Sequence, residues 1–269
     1  MTKNKILLIL SEFRKFLRIE VNMVMVFMAL SGYIMFNKPG LDAFFLATAM
    51  FFVSGAGYAY NHYTDKEEDL INNKKLNYFV STKTGYYIIA ICAFLSIVSA
   101  TYLSQLSFIM FVIAFVASFI YSVFRIKRVF PMKNIYSGFF MSISFLIGAT
   151  AKNIFTFQMI PYFLLVFLIG LTGNLLGDIR GYEGDKEVGV RTIPVAIGIS
   201  KAKKIVHFNF GIFSFASLIG YYMLTPIIPS LIATSFFLNK NDHKRARMSM
   251  ISTFFVLVPV LTAIKFLDI

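Results

Sequence analysis

Long apolar runs alternate with short polar breaks rich in lysine and arginine along nearly the whole chain. A helix that crosses a bilayer needs roughly 20 apolar residues, with about 17–25 as the usual range. The pattern predicts nine such spans, at 20–36, 43–62, 86–104, 107–124, 136–152, 158–177, 204–223, 225–238 and 249–267. The eighth run is short and carries Pro226 and Pro229, which predicts a tilted or broken helix with protein packed around it. The first 20 residues read differently. Their apolar stretch, Ile6 to Leu10, is too short for a signal-peptide core and is followed by Glu12, Arg14, Lys15 and Arg18. The expectation is an amphipathic segment lying on the membrane surface. The fold class is therefore all-α, a polytopic membrane bundle of about nine helices forming a single domain over 1–269.

Composition agrees with that reading. Hydrophobic residues make up 58% of the 269 positions and charged residues only 14%, with 32 Phe and no Trp. A water-soluble domain of this size would be left with large exposed apolar patches. Cys92, the single cysteine, lies within an apolar run and reads as a small packing residue. The net charge of +13 would suit nucleic acid, but its placement argues otherwise. Of the 26 Lys and Arg, all but Lys38, Lys152 and Lys265 fall on one side of the predicted topology. The positive-inside rule makes that side cytoplasmic, with the N-terminus in and the C-terminus out, in the cell membrane. The charge is read as topology and attraction to anionic lipid, with no nucleic-acid partner.

The acids carry more information. There are 13, and seven fall in two groups: Asp65, Glu67, Glu68 and Asp69, then Asp178, Glu183 and Asp185. Both groups follow an even-numbered span on the basic side, and carboxylates beside a lipid core are costly enough to imply a purpose. Asn61, Asp65 and Asp69 are four residues apart, so on a helix they form one stripe. Asn174 and Asp178 repeat the spacing, and Gly181 and Gly184 let Asp185 return toward the same cavity. Asn61 and Asn174 are 113 positions apart, which suggests a weak internal repeat with a site where the halves meet. Two facing arrays of oxygen ligands suit Mg²⁺ and a diphosphate. Lys66, Arg125, Lys127, Arg128, Arg180 and Lys186 are the candidate cationic clamps. Metal and cations that stabilise a leaving diphosphate ease cleavage of an allylic C–O bond, with the bundle holding the isoprenoid tail. His62 reads as a hydrogen-bonding interface residue rather than a ligand.

At these residues the chain resembles the UbiA superfamily of intramembrane prenyltransferases. The Asn-x3-Asp-x3-Asp signature matches Asn61, Asp65 and Asp69, and the second signature matches Asp178 and Asp185, followed by Gly189, Arg191 and Thr192. Tyr121-Ser122 with Arg125 and Lys127 resembles the family's Tyr-Ser…Arg-x-Lys loop, and Lys133-Asn134 the pair that often follows it. The resemblance covers about residues 18 to 200. It implies Mg²⁺-dependent transfer of a prenyl group from a prenyl diphosphate donor to a lipophilic acceptor, either an aromatic or quinone precursor or a geranylgeranylglyceryl phosphate-type lipid. It further implies that Asp65, Asp69, Asp178 and Asp185 are catalytic and, with Asn61, bind metal. Asn61, Arg125, Lys127, Asn174, Arg180 and Lys186 would bind substrate, from cytoplasmic active-site loops at 61–83 and 174–203. Two departures stand out. Many members carry Asp where this chain has Gly181, and the stretch from Asn72 to Ser81 lacks the usual proline-rich loop. The rival readings are a catalytically inactive scaffold of the same fold and a cation-dependent transporter. The transporter is disfavoured because the acids sit at span ends rather than at mid-depth.

Overall fold

The computed structural model describes residues 3–38, 40–66, 70, 75–126, 129–152, 154–187 and 189–266, and helices dominate it. An N-terminal helix α1 (Lys3–Phe16) leads into α2 (Ile19–Phe36), α3 (Asp42–Thr64), α4 (Lys83–Ala100), α5 (Gln105–Val123), α6 (Met132–Ala149) and α7 (Met159–Arg180). Two short helices follow, α8 (Tyr182–Glu187) and α9 (Ile193–Ile197), then α10 (Ile199–Ile219), α11 (Ile228–Asn239) and α12 (His243–Phe266).

Seven helical segments are long and apolar enough to cross a membrane: α2, α3, α4, α5, α7, Tyr222–Asn239 and the stretch His243–Lys265 of α12. The protein is an integral membrane protein. The predicted spans 136–152 and 204–223 coincide with α6 and α10, which are of spanning length but more polar. In α6 the polarity is absorbed internally. Ser142 and Ser144 donate to the carbonyls of Gly138 and Phe140, four residues back, each at 2.8 Å. The eighth predicted span is broken as expected. A 3₁₀ segment, Tyr222–Ile227, contains Pro226, and Pro229 opens α11.

The helices form one bundle with α2 and α6 at its centre. α2 packs on α3, α6 and α12, while α6 packs on α5 and α7; α4 lies outside α3, and α10 lies against α7. The α2–α6 crossing is reciprocal. A Cβ on Gly32 would stand 2.0 Å from the Phe145 carbonyl oxygen, and one on Gly148 1.8 Å from the Ala29 carbonyl oxygen. Gly32 and Gly148 are 116 positions apart, as are Ala29 and Phe145. Equivalent positions thus exchange the same contact, as across a two-fold axis. Small residues let the two backbones touch where hydrophobic driving force between helices is absent.

α1 lies across one end of this bundle. Its Phe16 ring stacks on His62 at 5.7 Å and packs on Phe79 at 5.4 Å. Glu12 accepts from the Tyr78 amide at 3.1 Å and its own carbonyl accepts from Asn77 at 2.9 Å. Ile6, Leu7, Leu8 and Leu10 remain exposed, as an interfacial helix requires. His62 is a packing residue at this interface, with Nε2 3.4 Å from the Lys15 carbonyl.

Candidate functional site

Asp178 lies near the end of α7 and is 1% exposed. A carboxylate near a helix C-terminus opposes the helix dipole, so burial there demands compensation. The first turns of α6 supply it. Lys133 Nζ donates to Asp178 Oδ1, and Asn134 Nδ2 donates to Asp178 Oδ2 at 2.9 Å. The same Asn134 amide reaches Asn174 Oδ1 at 3.2 Å, and Asn174 Nδ2 donates to Ser137 Oγ at 2.7 Å. Four neighbouring turns on two helices therefore share one polar network. It depends on close backbones: a Cβ on Gly138 would stand 2.8 Å from the Phe167 carbonyl oxygen, and one on Gly170 3.0 Å from the Gly138 Cα.

The first acidic group is built differently. Asn61 Oδ1 accepts from Ser122 Oγ on α5. α3 stops at Thr64, whose hydroxyl donates to the Asn61 carbonyl at 3.1 Å while the Asp65 amide donates to that carbonyl at 2.9 Å. Such side-chain competition for a carbonyl is a common way to end a helix. Asp65 is thus the cap of α3 rather than a mid-helix residue. Asp69, Lys127 and Arg128 lie outside the described residues. Between them on α5, the Tyr121 ring stacks on Tyr136 of α6 at 4.0 Å.

The other expected residues scatter around this centre. Arg125 follows α5 directly in a left-handed conformation (φ 50°). Arg180 is the last residue of α7 and lines the central cavity. Asp185 lies half-buried on α8, and a Cβ at Gly181 would stand 3.5 Å from its Oδ2. A side chain at position 181 would therefore point at Asp185. Lys66 is exposed at the end of α3. Lys186 sits over the Tyr182 ring at 5.9 Å and borders a recess with Glu183 and Glu187 that shares no lining residue with the central cavity.

The central cavity holds about 370 Å³ between α2, α3, α6, α7 and α12. Its polar end is formed by Arg18, Tyr58, Lys133, Asn174, Asp178, Arg180 and Arg247, and its apolar end by Val24, Met25, Met141, Ile169, Met250 and Phe254. It is a bipolar pocket, suited to an amphiphile with an anionic head. Among the described residues no three acidic, His or Cys side chains converge as a metal cage. This is compatible with Mg²⁺, which favours one or two carboxylates completed by water and phosphate oxygens. The Asp178 carboxylate, with the Asn174 amide oxygen in the same network and a partly exposed ammonium as its present partner, fits that ion.

Sequence reading did not identify Lys133 as the direct partner of Asp178, nor Ser122 as that of Asn61. It treated Arg18 and Arg247 as topological charge. Arg247 had been placed in a loop because its span was expected to start at 249, whereas α12 starts at His243. The signal available was helical spacing: Arg247, Met250, Ile251 and Phe254 share one face at i, i+3, i+4 and i+7, and all four line the cavity.

Comparison with known proteins places this geometry in a lineage. The digeranylgeranylglyceryl phosphate synthase of Pyrococcus horikoshii is 25% identical over 178 residues, covering 65% of this chain and 62% of that protein. A solved UbiA homolog from Archaeoglobus fulgidus, bound to DMAPP and Mg²⁺, superposes with a TM-score of 0.68 at 16% identity, over 93% of this chain and 99% of that one. The apo UbiA homolog from Aeropyrum pernix K1 gives a TM-score of 0.70 at 15% identity, over 92% and 98%. The profile of the UbiA prenyltransferase family matches residues 21–258, a stretch that contains most of α2, both acid-bearing helix ends and the first two thirds of α12. With the match running through every element that builds the cavity, the chain belongs to the UbiA prenyltransferase family.

Proposed function

We propose that this protein transfers a prenyl group from a prenyl diphosphate to a lipid acceptor at the end of the bundle that carries Asn61, Asp65, Asn174 and Asp178. The observation that carries the reading is the bipolar cavity, which sets Asp178, Asn174, Lys133 and Arg180 at one end and an apolar wall of Met25, Met141, Ile169 and Phe254 at the other. Asp65 and Asp178, joined by Asp69 and Asp185, would hold Mg²⁺ together with the donor's diphosphate; when bound, the metal supplies charge neutralisation of the leaving group. Asn61 and Asn174 add amide oxygens. Arg125, Lys127 and Lys186 are proposed as diphosphate clamps, and Arg180 as a further substrate-binding cation.

The chain's own chemistry follows from these placements. Lys133 keeps the buried Asp178 carboxylate neutralised until substrate arrives, and its side chain is 36% exposed, so it can turn to a diphosphate oxygen. The allylic C–O bond then breaks with its electron pair leaving on the diphosphate. The acceptor hydroxyl attacks the allylic carbon, and its proton passes to the departing diphosphate. The apolar wall excludes water, which would otherwise capture the allylic cation. The relative named above favours a glyceryl phosphate ether lipid as acceptor over an aromatic ring. The basic, acid-bearing end is assigned to the cytoplasmic side by the positive-inside rule, with the whole chain forming one membrane domain.

The test uses purified protein in lipid vesicles with radiolabelled geranylgeranyl diphosphate and Mg²⁺. The acceptors are geranylgeranylglyceryl phosphate, 4-hydroxybenzoate, homogentisate and dihydroxynaphthoate. A labelled lipid product that disappears with EDTA supports the reading and names the acceptor. Diphosphate binding without any product would leave an inactive scaffold instead, and loss of both would overturn the site.

A further inference from the structure

Three arginines from three helices meet at the cavity and are not used by the proposed donor chemistry as a group. Arg18 precedes α2 in a left-handed conformation (φ 47°), Arg180 ends α7, and Arg247 lies in the second turn of α12. All three line the same cavity. Among the described residues, none of them forms an ion pair or a side-chain hydrogen bond; the cations that do pair with acids are Arg14, Lys15, Lys133, Lys152 and Arg245. Arg18 rests on the Tyr58 ring at 5.6 Å, and both Arg18 and Arg180 repel Arg247. Like charges gathered without a counter-charge raise the energy of the empty site, and an anion relieves it.

The remaining question is which anion. The one carboxylate lining the cavity, Asp178, already has both oxygens engaged by Lys133 and Asn134. Asn61 and Asp65 are not among the lining residues. The arginine side of the cavity therefore offers guanidinium forks without the carboxylates that a metal would need. Forked guanidinium groups match the oxygens of a phosphate monoester, which requires no metal bridge. Met250 and Phe254 continue the apolar wall directly behind Arg247 on the same face of α12.

Resting on the prenyl-transfer reading, we propose that Arg18, Arg180 and Arg247 form a cradle for the phosphate headgroup of the acceptor lipid, with Arg247 as the residue that selects a phosphorylated acceptor. The donor's diphosphate is held by the carboxylate side instead. The acceptor's chain lies along the Met250–Phe254 wall, and its hydroxyl faces the donor.

The experiment compares full-length wild type, Arg247→Gln and Arg247→Lys in zwitterionic phosphatidylcholine vesicles. KM is measured separately for geranylgeranyl diphosphate and for geranylgeranylglyceryl phosphate. Arg247→Gln is expected to raise the acceptor KM about 10- to 100-fold, the loss of a charged hydrogen bond, with the donor KM little changed. Arg247→Lys keeps the charge without the fork and falls between the two. A rise in donor KM alone would assign the cradle to the donor and overturn the proposal, as would no change in either. Should wild type yield no product with any acceptor, a second measurement still decides. Oleoyl lysophosphatidic acid, compared with monoolein, is expected to raise the thermal midpoint of wild type but not of Arg247→Gln. That result keeps the phosphate cradle while the prenyl-transfer reading fails; equal shifts from both lipids, or in both proteins, sink the cradle. Equal protection by bilayer phosphatidic acid, with the acceptor KM unaffected, would make it a structural lipid site and overturn the proposal.

Discussion

The two acid-bearing helix ends share an Asn-x3-Asp spacing yet are finished differently. On α7, Asp178 is buried and fully engaged by Lys133 and Asn134, and Asn174 is joined to the same network. On α3, Asn61 reaches sideways to Ser122, and Asp65 is a half-buried cap at the point where the helix stops. The spacing is repeated and the side-chain network is not. The second half presents a preorganised carboxylate, whereas the first leaves its carboxylates at a helix end and in the segment beyond it. A site that must admit a charged substrate and then close over it can use one fixed wall and one adjustable wall.

The symmetry of the backbone can be tested where the halves touch. Gly32→Leu and Gly148→Leu each place a side chain against a backbone carbonyl, at Cβ distances of 2.0 and 1.8 Å. Ordinary overpacking costs about 1–3 kcal/mol because side chains yield; here a helix must move. Both variants are expected to lose the monodisperse folded peak in detergent size-exclusion chromatography, and to similar extents. Normal yield from either one would mean that the crossing is looser than described.

The asymmetry of the side chains gives a smaller effect. Asp178→Ala strands the Lys133 ammonium and should destabilise the fold by about 3 kcal/mol, the low end for a broken buried pair. Asp65→Ala, at a partly exposed cap, should cost no more than about 1 kcal/mol. Both should reduce prenyl transfer by about 100-fold or more if each carboxylate stabilises the leaving charge. Thermal unfolding separates them from one another, and turnover does not. Equal thermal midpoints would show that the two ends are equivalent after all.

The smallest effect concerns the cover over the first end. The Tyr78 amide and the Lys15 ammonium hold the Glu12 carboxyl below its ordinary value. A lowered folded value means that the stabilisation is complete above the unfolded value, about 4.3, and is lost as pH falls through the folded one. The protection of the Tyr78 amide, corrected for the intrinsic slowing of exchange in acid, should therefore fall on acidification below about pH 4, and in Glu12→Gln it should already be lost at neutral pH. No acid dependence in wild type would detach α1 from this loop.

Much of the bundle could be read directly from the chain. Hydrophobic runs are a long-range average, so all nine positioned runs fall on helices or a helix with its 3₁₀ lead-in. The Pro226–Pro229 break was visible because proline acts locally. The end of α3 was placed within two residues, at 62 against Thr64, but the cap made by the Thr64 hydroxyl and the Asp65 amide on the Asn61 carbonyl leaves no periodic trace. Lys133 was legible as a motif neighbour but not as the partner of Asp178, 45 positions away. That pairing is set by glycine contacts between α6 and α7, which a linear pattern does not encode.

The polar character of α6 bears on how the protein is made. Twelve of its 18 residues are buried, it begins with Lys133 and Asn134, and it is not among the segments apolar enough to cross a bilayer on composition alone. A nascent chain reaching this point meets a segment that lipid accepts poorly. Its serine hydroxyls are satisfied within the helix, but its glycine crossings and the Lys133–Asp178 pair form only against protein. Insertion of α6 is then a cooperative step, in which α2 must already stand in place to receive it and α7 must follow promptly. Substitutions at Gly32 or Gly148 would accordingly be felt during biogenesis, before any substrate is met.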